Sequence, residues 1–537
     1  VTEPPPQTDL FASRPALAES SLSVLPLGER EERTAALPDA VERARITSDL
    51  DSNLLVQAGA GSGKTTALVG RMLALVATGT ARVDEIAAVT FTRKAAGELR
   101  ERFQEALEKE FSRAVREDAP EAERLGDALR DLDRAFLGTI HSFCARLLRE
   151  RPLEAQLDPG FSEPQGPEEQ LLQNRFWSSH LERLAAGDDP LLAELDRVGL
   201  HPDQLKPFFE ELSENPDVDF PDLPVPPPDP AAVSAVRREL ENLMDRAEAL
   251  LPRQEPDKGW DKVQPRLRAA RFDRWVLGWS EDLVFYASLA RLCGKKYEPT
   301  QNRWSQAQQE KQAVKALCEE FESFGMTGES ASRLLDQWHA HRYPIALRFA
   351  RRAAEEFAEE RRRSGRLNFQ DLLFFSARLL RTSPDARREL GERYRRLLVD
   401  EFQDTDPMQA ELLLLLASDP ETGSDWRTVV PRPGGLFVVG DPKQSIYRFR
   451  RADISIYNLV RRRFAAFGDV LSLESNFRSG QAIADLVNEV FDTPQRFPPR
   501  ATEHQAAFAP LLPQPPREPR VKEGVFWYAV EAEADNR

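Results

Sequence analysis

Ala58-Gly59-Ala60-Gly61-Ser62-Gly63-Lys64-Thr65-Thr66 is the stretch that decides how the rest of the chain is read. Just upstream lies Leu54-Leu55-Val56, a short buried-strand candidate. Downstream, Leu68, Met72, Leu73 and Val76 recur at helical spacing from Thr66 to Val76. A glycine loop between a strand and a helix is the context of a phosphate-binding loop. The glycines let backbone N–H groups turn inward around an anion without a Cβ clash. Lys64 offers a point charge to β- and γ-phosphates, Thr65 a hydroxyl for Mg2+, and the helix start its positive dipole end. Ala58 stands where the strict pattern has Gly, which fits a turn that begins one residue later. The plain alternative, a flexible loop, leaves Lys64 and Thr65 without a purpose.

Working outward, Ile86–Thr90 reads as the next strand and Lys94–Phe111 as a charged amphipathic helix. Strand, loop, helix, strand is the βαβ arrangement of a parallel sheet. Strand patterns return far downstream at Leu397–Val399, Leu436–Val439 and Val470–Leu473. The first of these ends in Asp400-Glu401. Asp400 suits Mg2+ held largely through water, and Glu401 can orient and deprotonate an attacking water. Two carboxylates at a strand end are common; joined to the phosphate loop they become the second half of a nucleotide site. Lys64 and Asp400 are 336 positions apart, so a large insertion must separate their strands.

That insertion, about 163–363, reads as mostly helical and broken by prolines, with Asn215–Pro230 as a linker or surface loop. Its last helix, Tyr343–Arg366, is dense in arginine (Arg348, Arg351, Arg352, Arg361, Arg362, Arg363, Arg366). The interleaved Glu355, Glu356, Glu359 and Glu360 favour a solvated face over a ligand-facing one. The simplest account is an α/β domain with a parallel sheet, built around a phosphate-binding loop and interrupted by a large helical insertion.

The bulk numbers agree. A chain of 537 residues is too long for one core. The longest apolar run, Leu412–Leu416, is far too short to cross a bilayer, so no membrane partner is expected. Cys144, Cys293 and Cys318 are scattered and odd in number, which argues against a disulfide framework and for a reducing, cytoplasmic setting. The net charge of −16 lowers the expectation of a nucleic-acid partner, although a local basic stripe can still hold a strand.

Six ordered blocks then carry a resemblance. Ala58–Thr66 is followed by Thr90-Phe91-Thr92-Arg93-Lys94-Ala95-Ala96, Gly138-Thr139-Ile140-His141-Ser142-Phe143 and Asp400-Glu401-Phe402-Gln403-Asp404. Gly440-Asp441-Pro442-Lys443-Gln444-Ser445-Ile446-Tyr447 and Asn476-Phe477-Arg478-Ser479 complete the series. The chain resembles the UvrD/RecB/AddA group of superfamily 1 DNA helicases. Phe161 and the run Leu367-Asn368-Phe369-Gln370-Asp371-Leu372 resemble the helicase–nuclease branch.

The resemblance implies ATP as the nucleotide, Mg2+ as the metal, and single- or double-stranded DNA as partner. It implies a P-loop NTPase fold with a RecA-like parallel sheet, and a 3′→5′ translocase acting in double-strand break repair with a helicase–nuclease partner subunit; a UvrD-like repair helicase without nuclease, and a non-motor scaffold or DNA-scanning subunit, are the alternatives. Lys64, Asp400, Glu401, Gln444 and Arg478 are the implied catalytic set, with Thr65 and Asp400 on the metal and Phe477 packing on the base. Phe91, Thr92, Arg93, Lys94, His141, Tyr447 and Phe449 are the implied DNA contacts; His141 belongs there to a backbone-gripping loop. Phe91 and Phe449 each have a core alternative, and His141 a structural one.

The pattern departs from the family in two places. No Gln precedes the phosphate loop in Val41-Glu42-Arg43-Ala44-Arg45-Ile46, so the adenine edge has no obvious reader. The Gly-Leu-Glu block and second arginine motif of a second motor domain do not follow. The expected domains are a lead-in over 1–36, a first motor domain over 37–162 and 364–500, and a helical domain over 163–363. A second motor domain would begin in 501–537, where Val525–Val530 is strand-like. A chain lacking the remainder would hold ATP and DNA without full activity.

Overall fold

The computed structural model describes residues 37–305, 307–448, 451–494, 496–502 and 504–514. The 1–36 lead-in, Phe449 and Val525–Val530 lie outside the described residues. The described chain is mixed α/β and mostly helical, with a parallel sheet. It divides into two units, one of residues up to Phe161 and from Asp371 on, the other Ser162–Gln370.

The first unit is built on six strands: β1 (Asn53–Ala58), β2 (Ile86–Thr90), β3 (Phe136–Thr139), β4 (Arg396–Val399), β5 (Leu436–Gly440) and β6 (Gly468–Leu473). Their order is β3-β2-β4-β5-β1-β6, and every pairing is parallel. Apolar runs rather than alternating patterns make the inner strands β2, β4 and β5, because both faces of a parallel sheet are covered, while the edge strand β6 alternates buried and exposed residues. Leu54, Val56, Ile86, Ala88, Leu398, Phe437 and Val439 share a core with Leu68, Met72, Leu73, Leu99, Phe103 and Leu107 of the helices Lys64–Ala77 and Arg93–Arg116. Leu55, Ala87, Val89, Leu397, Val399, Leu436 and Val438, which alternate with them, are also buried.

A guanidinium is packed into this core. Arg71, on the helix Lys64–Ala77, is 1% exposed and donates to the carbonyls of Ile46, Asp49 and Ser52 at 2.9 Å each and of Leu50 at 3.4 Å. Its guanidinium lies 4.9 Å from the centre of the Phe437 ring. Burial, then the charge of Arg396, lowers its pKa to about 10, so it remains a cation at neutral pH.

The second unit is helical, with a core that includes Trp177, Phe209, Leu240, Phe285, Phe321 and Phe349. Prolines open several of its helices (Pro167–Ala186, Pro190–Arg197, Pro230–Leu250), where a missing N–H costs nothing. The longest helix, Ser330–Ser364, keeps Pro344 in its interior. Its arginines are engaged within the unit: Arg348 with Glu194, Arg352 with Asp189, and Arg362 and Arg363 with Glu359. The Asn215–Pro230 stretch is an extended loop strapped to that helix, with Phe220 C=O accepting from Arg351 and Val225 C=O 2.6 Å from His341 Nδ1. Where the unit begins and ends, Ser162 N–H donates to Gly365 C=O at 2.8 Å and Leu367 N–H to Ser162 C=O at 3.0 Å.

The three cysteines are buried and free. Among the described residues no helix is long and apolar enough to cross a membrane.

Candidate functional site

Because all six strands run the same way, the ends at Ala58, Thr90, Thr139, Val399, Gly440 and Leu473 fall on one edge of the sheet. The carboxyl edge of a parallel sheet is where such folds bind ligands. Every block picked out in the sequence from the first unit begins at this edge.

After β1 the chain turns through Gly61 and Gly63, at φ +72° and +89°. A Cβ at Gly61 would also stand 2.5 Å from Arg478 Cβ, so glycine is required there twice over. Ser62 closes the turn, its N–H and Oγ both donating to Gly59 C=O at 3.2 and 2.7 Å. Lys64 then opens its helix and reaches the end of β4, where Nζ lies 2.9 Å from Glu401 Oε2. Glu401 has φ +52°, a left-handed conformation uncommon for a residue with a side chain. Such strain persists where the surroundings hold it, and functional sites are where it clusters.

Asp400 is fixed by its N–H to Val89 C=O, 2.9 Å, and accepts from the Glu401 N–H at 2.9 Å. Burial and then the neighbouring Glu401 charge raise its carboxyl to about 6, and Asp404 is raised to about 6 for the same two reasons. A divalent cation would relieve both. Thr65 Oγ1 and Asp400 offer few protein oxygens, which fits Mg2+ because it keeps most of its waters.

After β6 the chain returns to the phosphate loop. Asn476 Nδ2 donates to Ala60 C=O at 2.9 Å and Phe477 N–H to Gly61 C=O at 2.8 Å. Asn476 Oδ1 accepts from the N–H groups of Arg478 and Ser479, at 2.8 and 2.9 Å. Phe477 is 41% exposed and lies under the guanidinium of Arg43, 5.1 Å from the ring centre. Arg43 also donates to Ser62 C=O at 2.9 Å and pairs with Asp39. Burial would raise the Asp39 carboxyl, but hydrogen bonds from Arg43 and Ser475 outweigh it and hold the group below its ordinary range. After β5, Gln444 sits in a short turn with Nε2 donating to Asp441 at 2.7 Å.

The aromatic candidates also meet. Phe91 is half-buried at the end of β2, and its ring stacks on Tyr447 at 5.3 Å and 30°. Thr92 caps the helix that follows by accepting from Ala95 N–H. Arg93 and Lys94 are exposed in the first turn of that helix, where the dipole disfavours cations, and Lys94 lies 3.8 Å from Glu98 one turn on. His141 lies in the first turn of the helix Ile140–Glu150 rather than in a loop. Burial lowers its pKa to about 4, so it is neutral at physiological pH and brings no charge to a phosphate.

Comparison with known proteins decides the family. The family model of the UvrD/REP helicase N-terminal domain matches residues 39–465. The chain belongs to the UvrD/REP helicase family. Its relatives include proteins whose name makes each the first-lettered component of an ATP-dependent helicase/nuclease. The one from Ligilactobacillus salivarius is 28% identical over 83% of this chain. Those from Geobacillus thermodenitrificans and Pediococcus pentosaceus are 30% and 26% identical, each over 82% of it. The chain spans 38% of the length of each of these three relatives.

Several residues of this UvrD/REP chain at the sheet edge gave no sequence signal. Arg43 and Asp39 sit on a polar helix start and look like solvent-facing charges until the fold carries them onto Ser62 and Phe477. Gln403, buried between β4 and β5, reads only as a spacer between the acidic residues of its block. Lys443 comes within reach of the phosphate loop, its Nζ 3.9 Å from where a Gly59 Cβ would stand.

Proposed function

We propose that this chain is the ATP-binding motor portion of a DNA helicase, with the P-loop NTPase, RecA-like fold. The parent protein uses ATP hydrolysis to move along single-stranded DNA. The observation that carries this reading is the 2.9 Å contact between Lys64 and Glu401, which brings the two halves of a nucleotide site together across most of the chain. Lys64 serves the β- and γ-phosphates, Thr65 and Asp400 hold Mg2+, and Glu401 takes the proton of the attacking water. Bound Mg2+ supplies charge neutralisation on the phosphate oxygens. Arg478 and Gln444, on the loops after β6 and β5, are suited to the charge that develops on the transferring phosphoryl group. Phe477 carries the base, with Arg43 in place of the expected glutamine.

Phe91 and Tyr447 offer a stacking platform for bases, worth about 1–3 kcal/mol per base. Arg93 and Lys94 beside them suit the phosphates, and Phe449 is assigned here from the sequence alone. His141, being neutral, would act as a hydrogen-bond partner. The relatives' names support a helicase–nuclease of more than one component. Its work would be double-strand break repair, with translocation 3′→5′.

Lys64→Ala in the full-length protein tests this. The expected result is loss of DNA-stimulated ATP turnover and of strand separation on a 3′-tailed duplex, with single-stranded DNA binding retained. A scaffold that merely resembles a motor would keep its repair activity after that change.

A further inference from the structure

Gln403 lies between the carboxylate end of β4 and the loop after β5, and it touches both. Its side chain is 2% exposed. Nε2 donates to Glu401 Oε2 at 2.8 Å, while Oε1 accepts the Asp441 backbone N–H at 2.9 Å. Its backbone C=O accepts from Ser445 Oγ at 3.1 Å. A Cβ at Gly440 would stand 2.9 Å from Oε1, so the amide is packed against the β5 end with no room to turn. Two residues beyond Ser445, the Tyr447 ring stacks on Phe91. One connected path therefore runs from that aromatic stack through Ser445 and Gln403 to Glu401 and Lys64.

The residue type matters. A carboxamide donates to a carboxylate through one end and accepts a backbone N–H through the other. A carboxylate at this position could only accept, and an aliphatic side chain could do neither. Glu401 is held from two sides, by Lys64 and by Gln403. Lys64 cannot neutralise Glu401 and a nucleotide phosphate equally, so phosphate binding draws it away. Gln403 then remains as the donor that keeps Glu401 aimed.

We infer that Gln403 is a positioning residue through which occupancy of the Phe91–Tyr447 stack sets Glu401 for hydrolysis. Nucleotide binding takes Glu401 from being held by Lys64 and Gln403 together, as seen here, to being held by Gln403 alone, and in that second arrangement the Ser445–Gln403 contact is where the stack bears on Glu401. The inference rests on the nucleotide-site reading above.

The test measures ATP turnover of the full-length protein with and without oligo-dT. Gln403→Leu removes both ends of the link, and Gln403→Glu keeps the acceptor for Asp441 while removing the donor to Glu401. In both, DNA-stimulated kcat falls about tenfold, the scale of one charge-assisted hydrogen bond. The KM for ATP and the affinity for oligo-dT stay within about twofold of the parent. If the Leu variant does not fold, the near-isosteric Glu variant decides. Stimulated kcat unchanged in a folded variant overturns the inference, and so does a fall that KM or oligo-dT affinity shares. Lys64→Ala run alongside separates the two claims: turnover that survives it overturns the nucleotide site itself. Turnover lost there, with normal stimulation in the Gln403 variants, overturns only the coupling.

Discussion

Asn476→Asp is the sharpest probe of how the phosphate loop is held. The side chain makes three hydrogen bonds, and the substitution touches one of them. Oδ1 keeps accepting from Arg478 and Ser479 N–H, with added charge to strengthen those bonds. Nδ2, which donates to Ala60 C=O at 2.9 Å, becomes an oxygen facing an oxygen. Asn476 is 2% exposed, so water does not readily replace the lost donor. Leaving a buried acceptor without its partner costs about 1–3 kcal/mol. Ala60 C=O and Gly61 C=O are both drawn toward the 476–477 segment, which turns the N–H groups of Gly61 and Ser62 the opposite way. Freeing one carbonyl loosens that orientation. Affinity for Mg-ATP should fall about tenfold, the lower part of that range. Titration with a fluorescent ATP analogue reads the change, with a thermal melt as the control for folding. Unchanged affinity in a folded Asn476→Asp protein would refute the idea that this contact shapes the loop.

Two further outcomes follow from buried groups of the same unit. Arg71→Met leaves four carbonyls without their donor and should destabilise the protein by at least about 1–3 kcal/mol, the cost of a buried acceptor left unpaired, read as a lower urea midpoint. Arg71→Lys should recover little of it, since a point charge cannot span a planar fork's partners. His141 is pushed down to about 4 by burial while the unfolded chain titrates near the ordinary 6.5, so the unfolded state takes up the proton first. Its contribution is therefore complete above the unfolded pKa and is lost as pH falls through that value toward 4. His141→Asn should flatten the stability curve across that window; parallel curves for the two proteins would sink this account.

The parallel sheet was legible because its strands are apolar runs that need no partner to be recognised. Leu54–Val56, Ile86–Thr90, Leu397–Val399, Leu436–Val439 and Val470–Leu473 all lie within strands. The strand Phe136–Thr139 passed unnoticed, since two apolar residues followed by Gly and Thr leave too short a signal, and it is supported on one side only, by β2. At the sheet edge, residue types with a specific chemistry stood out: glycines beside a lysine, paired carboxylates, an arginine after an aromatic. Arg43 and Gln403 did not, because nothing in their neighbours predicts where the fold carries them. The arginine-rich helix shows the converse. Its composition pointed two ways, and the ion pairs with Glu194, Asp189 and Glu359 show how most of its charge is used.

The paired backbone at Ser162 and Gly365–Leu367 has a consequence for how the chain reaches its native state. β2 and β4 lie side by side although the second unit's sequence separates them. Closing so long a loop late would slow the search for that pairing. If the helical unit forms first and zips its own neck, the distance along the chain that the sheet must bridge shrinks about threefold. By loop-closure entropy that head start is worth about 1 kcal/mol. The same neck makes the size of the inserted unit nearly irrelevant to the sheet. Changes in the length of its helices would then leave the register of β2 on β4 untouched.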